Sequence, residues 1–325
     1  MKNILVISIG GTIAMTSDSS GGIVPNISIE DLLESAPNIT KLANIETLSP
    51  FVCPASSIQL PDFLSLINII EEKLSSNYDG ALLIQGTDTI EETAFLLDIL
   101  INSKKPIVVT GAMRGHAMLS ADGPSNLTCS IKTLIHPLSK NLGTLVVLNE
   151  TIHSGRFVVK SNTSNLEAFT SPSSGPIGHI IENKPVFLMK PFKKIDLNLS
   201  KTFKFGRVPI ITFGIGDDSE LLEKASKIDY DGYVLQATGA GHIPSSIVSV
   251  VEKIATKKPV ILSTRVIGGR VFKSTYGFSG SEIDLINKGV ITSGFLNASK
   301  SRLLLGVLTG NNFNLKQITD YFNNF

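Results

Sequence analysis

Residues 81–101 read ALLIQGTDTIEETAFLLDILI. The apolar run Ala81–Ile84 has the length and branching of a fully buried strand, and Ala94–Ile101 reads as a buried helix face. Between them Thr89 and Glu92 have the S/T-x-x-E spacing of a capping box, which marks a helix start. A strand that runs straight into a capped helix is the unit of a parallel α/β sheet. In such sheets ligands bind beyond the carboxyl ends of the strands. Thr87 and Asp88 occupy that position. They admit two readings: competitors for the helix cap, or side chains presented to a ligand.

The same grammar extends in both directions. Apolar runs at Asn3–Ile9, Pro106–Val109 and Leu142–Leu148 predict further strands. Ser28 is placed to cap a helix through Ala36, ended by Pro37, and Asp122 to cap a helix opened by Gly123-Pro124. Lys190–Arg207 carries six basic residues against one acid, Asp196, and reads as a solvated linker. Beyond it, strands are expected at Pro209–Phe213, Tyr233–Gln236 and Pro259–Ser263. Helices are expected at Asp217–Lys227, Pro244–Ala255 and Asn297–Val307. The expected fold is therefore α/β, with a larger N-terminal parallel-sheet domain (1–189), a linker (190–207) and a smaller C-terminal parallel-sheet domain (208–325). A chain of 325 residues has the length for two cores.

Composition narrows the function classes. A net charge of +1 provides no long-range field for nucleic acid or an acidic membrane. The N-terminal apolar run breaks at Gly10-Gly11, too early for a secretory signal, and no later run approaches a membrane span. A cytoplasmic protein is expected. Cys53 and Cys129, each among apolar neighbours, read as buried free thiols. The five histidines show neither i, i+4 pairing nor a neighbouring cysteine, so no metal site is expected. There is no G-x-S-x-G elbow, G-x-G-x-x-G or G-K-[ST].

What remains near strand ends is hydroxyls, one carboxylate and one amine. Gly10-Gly11 can bring backbone N–H groups close to a ligand, and Thr12 follows them; a tight turn is the simpler reading. Ser56 and Ser57 precede a helix starting near Pro61, as turn residues or as a carboxylate site. Lys160 ends the run Phe157–Val159, as a surface amine or as a partly desolvated base. Hydroxyl, lysine and carboxylate together can activate a nucleophile without histidine.

Five segments carry a resemblance: IGGTIAM (Ile9–Met15), QGTDTIEETA (Gln85–Ala94), KPIVVTGAMR (Lys105–Arg114), SADGPSNL (Ser120–Leu127) and GRFVVKSNTSNLEAF (Gly155–Phe169). They resemble the bacterial-type L-asparaginases, and the likeness extends to the last helix. The resemblance implies hydrolysis of L-asparagine to L-aspartate and ammonia, without a cofactor. Thr12 would be the nucleophile, and Thr87, Lys160 and Asp88 a second cluster in which Lys160 handles the proton of Thr87. Asp88 would also hold the substrate's α-amino group, Ser56 and Ser57 its α-carboxylate, and the carbonyl of Ala112 its side-chain amide. The family forms homotetramers of intimate dimers, in which Glu282 would be lent to the neighbouring site.

Two features depart from the family pattern. The segment after Thr12 lacks the tyrosine that often supports the nucleophile, leaving Thr16, Ser17 or a water for that role; the nearest tyrosine is Tyr78. Gly239-Ala240-Gly241-His242 stands where many members have asparagine between glycines, which leaves glutamine against asparagine preference open. A glutaminase-asparaginase of broader specificity is one alternative. A non-catalytic amino-acid sensor is another, disfavoured because Thr12, Thr87, Asp88 and Lys160 are all retained. An asparaginase-like amidotransferase subunit is disfavoured by the first strand at Asn3, which leaves no room for its extra N-terminal domain, and by the neutral charge.

Overall fold

The structure is a computed structural model. It describes residues 1–11, 13, 15–17, 23–25, 28–36, 38–191, 197, 199 and 203–325, with the side chains of 15–17 and 23–25 left aside. The chain forms two compact units, Met1–Asn198 and Leu199–Phe325.

The first unit opens with β1 (Lys2–Ser8), the hairpin β2 (Met15–Ser17) and β3 (Ile23–Pro25), α1 (Ile29–Glu34), α2 (Ile39–Leu42) and β4 (Ala43–Leu48). It continues with α3 (Leu60–Ser75), β5 (Gly80–Ile84), α4 (Ile90–Leu100), β6 (Ile107–Thr110), α5 (Gly123–Ile135) and β7 (Thr144–Leu148). Short strands follow: β8 (Thr151–Ser154), β9 (Val159–Lys160), β10 (Phe169–Thr170), β11 (Gly178–Ile181) and β12 (Lys184–Phe187).

Eight strands make one sheet in the order β12-β11-β8-β7-β6-β5-β1-β4. The five from β4 to β7 are parallel, whereas β8, β11 and β12 run antiparallel at one edge. β5 and β7 are buried at every position, which is why they read as continuous apolar runs. On α3, Phe63, Leu66, Ile67, Ile70 and Leu74 face the core. Each contributes about 1.5–3 kcal/mol by leaving water.

β1 lies between β4 and β5. The chain leaves β1 for β4 on one side and then for β5 on the other. Connections that part in this way open a crevice at the carboxyl ends of β1 and β5.

The second unit contains β13 (Ile210–Thr212), α6 (Glu220–Ala225), β14 (Tyr233–Ala237), α7 (Val248–Ala255), β15 (Val260–Thr264), α8 (Glu282–Asn287), β16 (Ile291–Thr292), α9 (Ala298–Gly310) and α10 (Leu315–Phe322). Its four strands are parallel, in the order β13-β14-β15-β16.

Several local expectations need correction. Ser28 does cap α1, in a capping box with Asp31. Thr89 makes no side-chain cap bond, because its hydroxyl donates to the carbonyl of Ala55 at 3.2 Å. Asp122 makes none either, because its carboxylate accepts from the backbone N–H groups of Met113 and Arg114. The strand expected from Leu142 starts at Thr144; Asn141 and Gly143, both at positive φ, turn the chain first. Cys129 is buried, but Cys53 only partly so. Burial pushes both thiols up, away from reactive thiolate. Pro37, Asp196 and three of the six basic residues of 190–207 (Lys193, Lys194 and Lys201) lie outside the described residues, as do the side chains of Thr16 and Ser17.

Among the described residues no helix is long and apolar enough to cross a membrane. No group of three or more His, Cys, Asp or Glu among them could hold a metal ion.

Candidate active site

The crevice at the ends of β1 and β5 is built by close backbone approach. Gly11 has φ +103°, and a Cβ there would stand 2.3 Å from the amide nitrogen of Gly86. A Cβ on Gly86 would stand 2.8 Å from the Cβ of Ala55. A Cβ on Gly111 would stand 2.5 Å from the carbonyl oxygen of Gln85 and 3.3 Å from Cγ2 of Thr87. Three glycines therefore let the ends of β1, β5 and β6 and the 55–57 turn converge on one spot. Thr12, the residue after Gly11, lies outside the described residues.

Thr87 is buried, Lys160 partly buried and Asp88 exposed. The Lys160 ammonium donates to Thr87 Oγ1 at 2.9 Å and to Asp88 Oδ1 at 2.8 Å. A charged amine bonded to a hydroxyl and a carboxylate can polarise the hydroxyl and move protons between the two oxygens. Lys160 is thus no free surface amine at a hairpin end. An open cavity of about 600 Å³ is lined by Asp88, Glu91, Lys160, Ser161, Asn162 and Thr163.

Ser56 and Ser57 sit exposed in a single 3-10 turn, Ala55–Ser57. That turn is tied to the Thr87 segment by a short chain: Gln85 Nε2 donates to Thr89 Oγ1 at 3.2 Å, and Thr89 to the carbonyl of Ala55 at 3.2 Å. Ala112 is 1% exposed, beside Gly111. Its loop is fixed by Asp122, which accepts the N–H groups of Met113 and Arg114 at 3.0 and 2.9 Å. Asn126 Nδ2 donates to both Asp122 and the carbonyl of Gly111, at 3.0 Å each.

Glu282 belongs to the second unit, where it is completely buried. Its Oε1 accepts the backbone N–H groups of Thr275 and Tyr276 at 2.8 and 2.7 Å, and its Oε2 lies 3.3 Å from His242 Nε2. Burial pushes this carboxyl up, but the N–H donors and His242 outweigh it and hold the group below the ordinary carboxylate range. His242 stands edge-on to the rings of Tyr276 and Phe278, at centroid distances of 4.9 and 5.1 Å. The partners the structure gives Glu282 all lie within its own unit.

Sequence reasoning missed Glu91, whose Oε2 accepts the backbone N–H of Lys160 at 2.8 Å, and Asn126, and it read Asp122 as a cap rather than as a support of the Ala112 loop. The acid after the Thr89 turn was visible, but its partner is 69 positions away and no local pattern links the two.

The profile described as "Asparaginase, N-terminal" matches residues 3–193, and that described as "Glutaminase/Asparaginase C-terminal domain" matches residues 207–322. This chain belongs to the asparaginase family. It is 32% identical over 334 residues to L-asparaginase 2 of Escherichia coli K12, covering 100% of this chain and 94% of that one. It is 31% identical over 333 residues to the probable periplasmic L-asparaginase of Haemophilus influenzae, covering 100% and 93%. A crystal structure of the probable cytoplasmic L-asparaginase from Campylobacter jejuni superposes with a TM-score of 0.89 at 31% identity, covering 99% of both chains. As a member of this family the chain is an amidohydrolase, and its α/β fold is shared with the Campylobacter jejuni structure.

Proposed function

We propose that this amidohydrolase converts L-asparagine to L-aspartate and ammonia by a threonine mechanism. The observation that carries the reading is the Lys160 ammonium bonded to both Thr87 and Asp88 at the strand-end crevice. Matches to L-asparaginases over the whole chain support the substrate.

In this reading Thr12 Oγ attacks the side-chain amide carbon. The O–C bond forms, the hydroxyl proton passes to the amide nitrogen, the C–N bond breaks and ammonia leaves. Water then attacks the acyl carbon, the bond from that carbon to Thr12 Oγ breaks, L-aspartate leaves and a proton from the water returns to Thr12 Oγ. Thr87, polarised by Lys160, and N–H groups beside Thr12 meet the oxyanion, each donor contributing about 3 kcal/mol to barrier lowering. Asp88 holds the α-ammonium, Ser56 and Ser57 the α-carboxylate, and the Ala112 carbonyl the amide N–H. Glu282 acts on the site of a second copy, in a homotetramer built from dimers. The domains are 1–189 and 208–325 joined by 190–207, in line with the two matched spans. The cytoplasm is the proposed compartment, supported by the Campylobacter relative and opposed by the periplasmic one.

The test is ammonia release from L-asparagine, L-glutamine and D-asparagine side by side, with a Thr12→Ala control. Selective turnover of L-asparagine, abolished by Thr12→Ala, is expected. Comparable turnover of L-glutamine would move the reading to a broader glutaminase-asparaginase. Binding without turnover would overturn hydrolysis in favour of a sensor. Light scattering on the same protein measures the tetramer.

A further inference from the structure

Lys160 lies on β9, a strand of two residues paired, among the described residues, with the two residues of β10 alone. So short a ladder fixes a side chain poorly. The segment leading to it, Gly155 to Lys160, is docked along one face of α4. Glu91, Ala94 and Asp98 follow the three- and four-residue spacing that aligns side chains on one face of a helix. Each touches that segment. Asp98 Oδ2 pairs with Arg156 Nη2 at 3.3 Å, both side chains 4% exposed. A Cβ on Gly155 would stand 2.8 Å from the carbonyl oxygen of Ala94, so only glycine permits this approach. Glu91 Oε2 accepts the Lys160 backbone N–H at 2.8 Å.

We propose that Glu91 is a positioning residue that sets the Lys160 ammonium between Thr87 and Asp88. The geometry is a three-point clamp from one five-residue stretch. Thr87 and Asp88 take the ammonium, and Glu91, in the first turn of the following helix, takes the main chain of the same lysine. Asp98 anchors the far end of the segment through Arg156, in a buried pair whose loss would disturb the fold. Glu91 is only half-buried, so it can be changed with less disturbance. The bond the structure gives it is made by an acceptor oxygen to a backbone N–H, which the amide oxygen of a glutamine can also accept.

The inference rests on the proposed role of Lys160 in asparagine hydrolysis, and two measurements separate the two ideas. The first is amide hydrogen exchange at Lys160 in the intact protein. Glu91→Ala should speed it at least about tenfold, and Glu91→Gln, which keeps an acceptor oxygen, should stay within about threefold of wild type. The second is steady-state ammonia release from L-asparagine. Glu91→Ala should lower kcat about tenfold with KM within about threefold, and Glu91→Gln should recover most of the loss. A merely structural role would change both variants' melting temperatures without that kcat-specific split. Unchanged kcat in Glu91→Ala, or a Glu91→Gln variant as impaired as Glu91→Ala, overturns the proposal. Wild-type protein inert toward L-asparagine overturns the substrate reading instead, and the exchange comparison still decides the anchor.

Discussion

The Lys160 ammonium donates to the hydroxyl of Thr87 across 2.9 Å, although 73 positions separate the two residues. Lys160 comes from a two-residue strand beyond β8, and Thr87 from the end of β5. Lys160→Met removes the charge and all three donors while keeping the side chain's bulk. We expect it, and Thr87→Val, to lower kcat for L-asparagine by about a hundredfold to ten-thousandfold with the fold intact. Ammonia release and circular dichroism check this, and full activity in either variant would remove the pair from the mechanism.

The approach of Gly11 to Gly86 gives a second expectation. Alanine at position 11 would have to hold φ near +103° with its Cβ 2.3 Å from a backbone nitrogen. Backbone cannot yield as a side-chain tip can. Gly11→Ala should cost more than about 3 kcal/mol, combining left-handed strain with the clash. Chemical denaturation measures it; a loss below about 1 kcal/mol would mean the crevice relaxes.

Asp122 should behave as a brace for the Ala112 loop rather than as a helix cap. Removing its carboxylate leaves the N–H groups of Met113 and Arg114 without that acceptor. Asp122→Ala should cost about 1–3 kcal/mol of stability and lower kcat/KM for L-asparagine. Asp122→Asn, with one acceptor oxygen left, should recover part of both. If Asp122→Ala melts like wild type, the loop is held by Asn126 alone.

The Glu282 carboxyl predicts a pH dependence. Burial opposes its ionisation, yet the Tyr276 and Thr275 N–H groups and His242 hold its folded pKa below the ordinary 4.5. A depressed folded pKa adds stability that is fully present above the unfolded value and is lost as pH falls through the folded value. The stability difference between wild type and Glu282→Gln should thus be constant above pH 4.5 and shrink below it. Urea unfolding at neutral pH and through an acid series tests this. A difference that grows toward acid pH would reverse the sign and the assignment.

Much of this architecture is written locally. β5, β6, β14 and β15 are near-continuous apolar runs because both faces of their sheets are covered, and that pattern survives in one dimension. Ser28 is legible as a cap because its partner, Asp31, is three residues away. Thr89 and Asp122 have the same local credentials and cap nothing. Their side chains find the Ala55 carbonyl and the Met113–Arg114 amides, which only folding brings near. The antiparallel edge β8, β11 and β12 was not legible because these strands mix polar and apolar residues and none is buried at every position, unlike β6, which is as short but nearly all apolar and buried throughout.

The sequence by itself determined the alternation of strand and helix, the glycines that permit close approach, and the residue types at the strand ends. It also carried the family motifs. The tertiary structure decided which side chains meet. Lys160 is bonded to Thr87 and Asp88 and anchored by Glu91, and Glu282 is bonded within its own unit. The physical reason is range. Burial pattern, capping and backbone strain are set by neighbours along the chain, whereas a hydrogen bond is decided within about 3 Å, by atoms whose separation exists only after the sheet has closed.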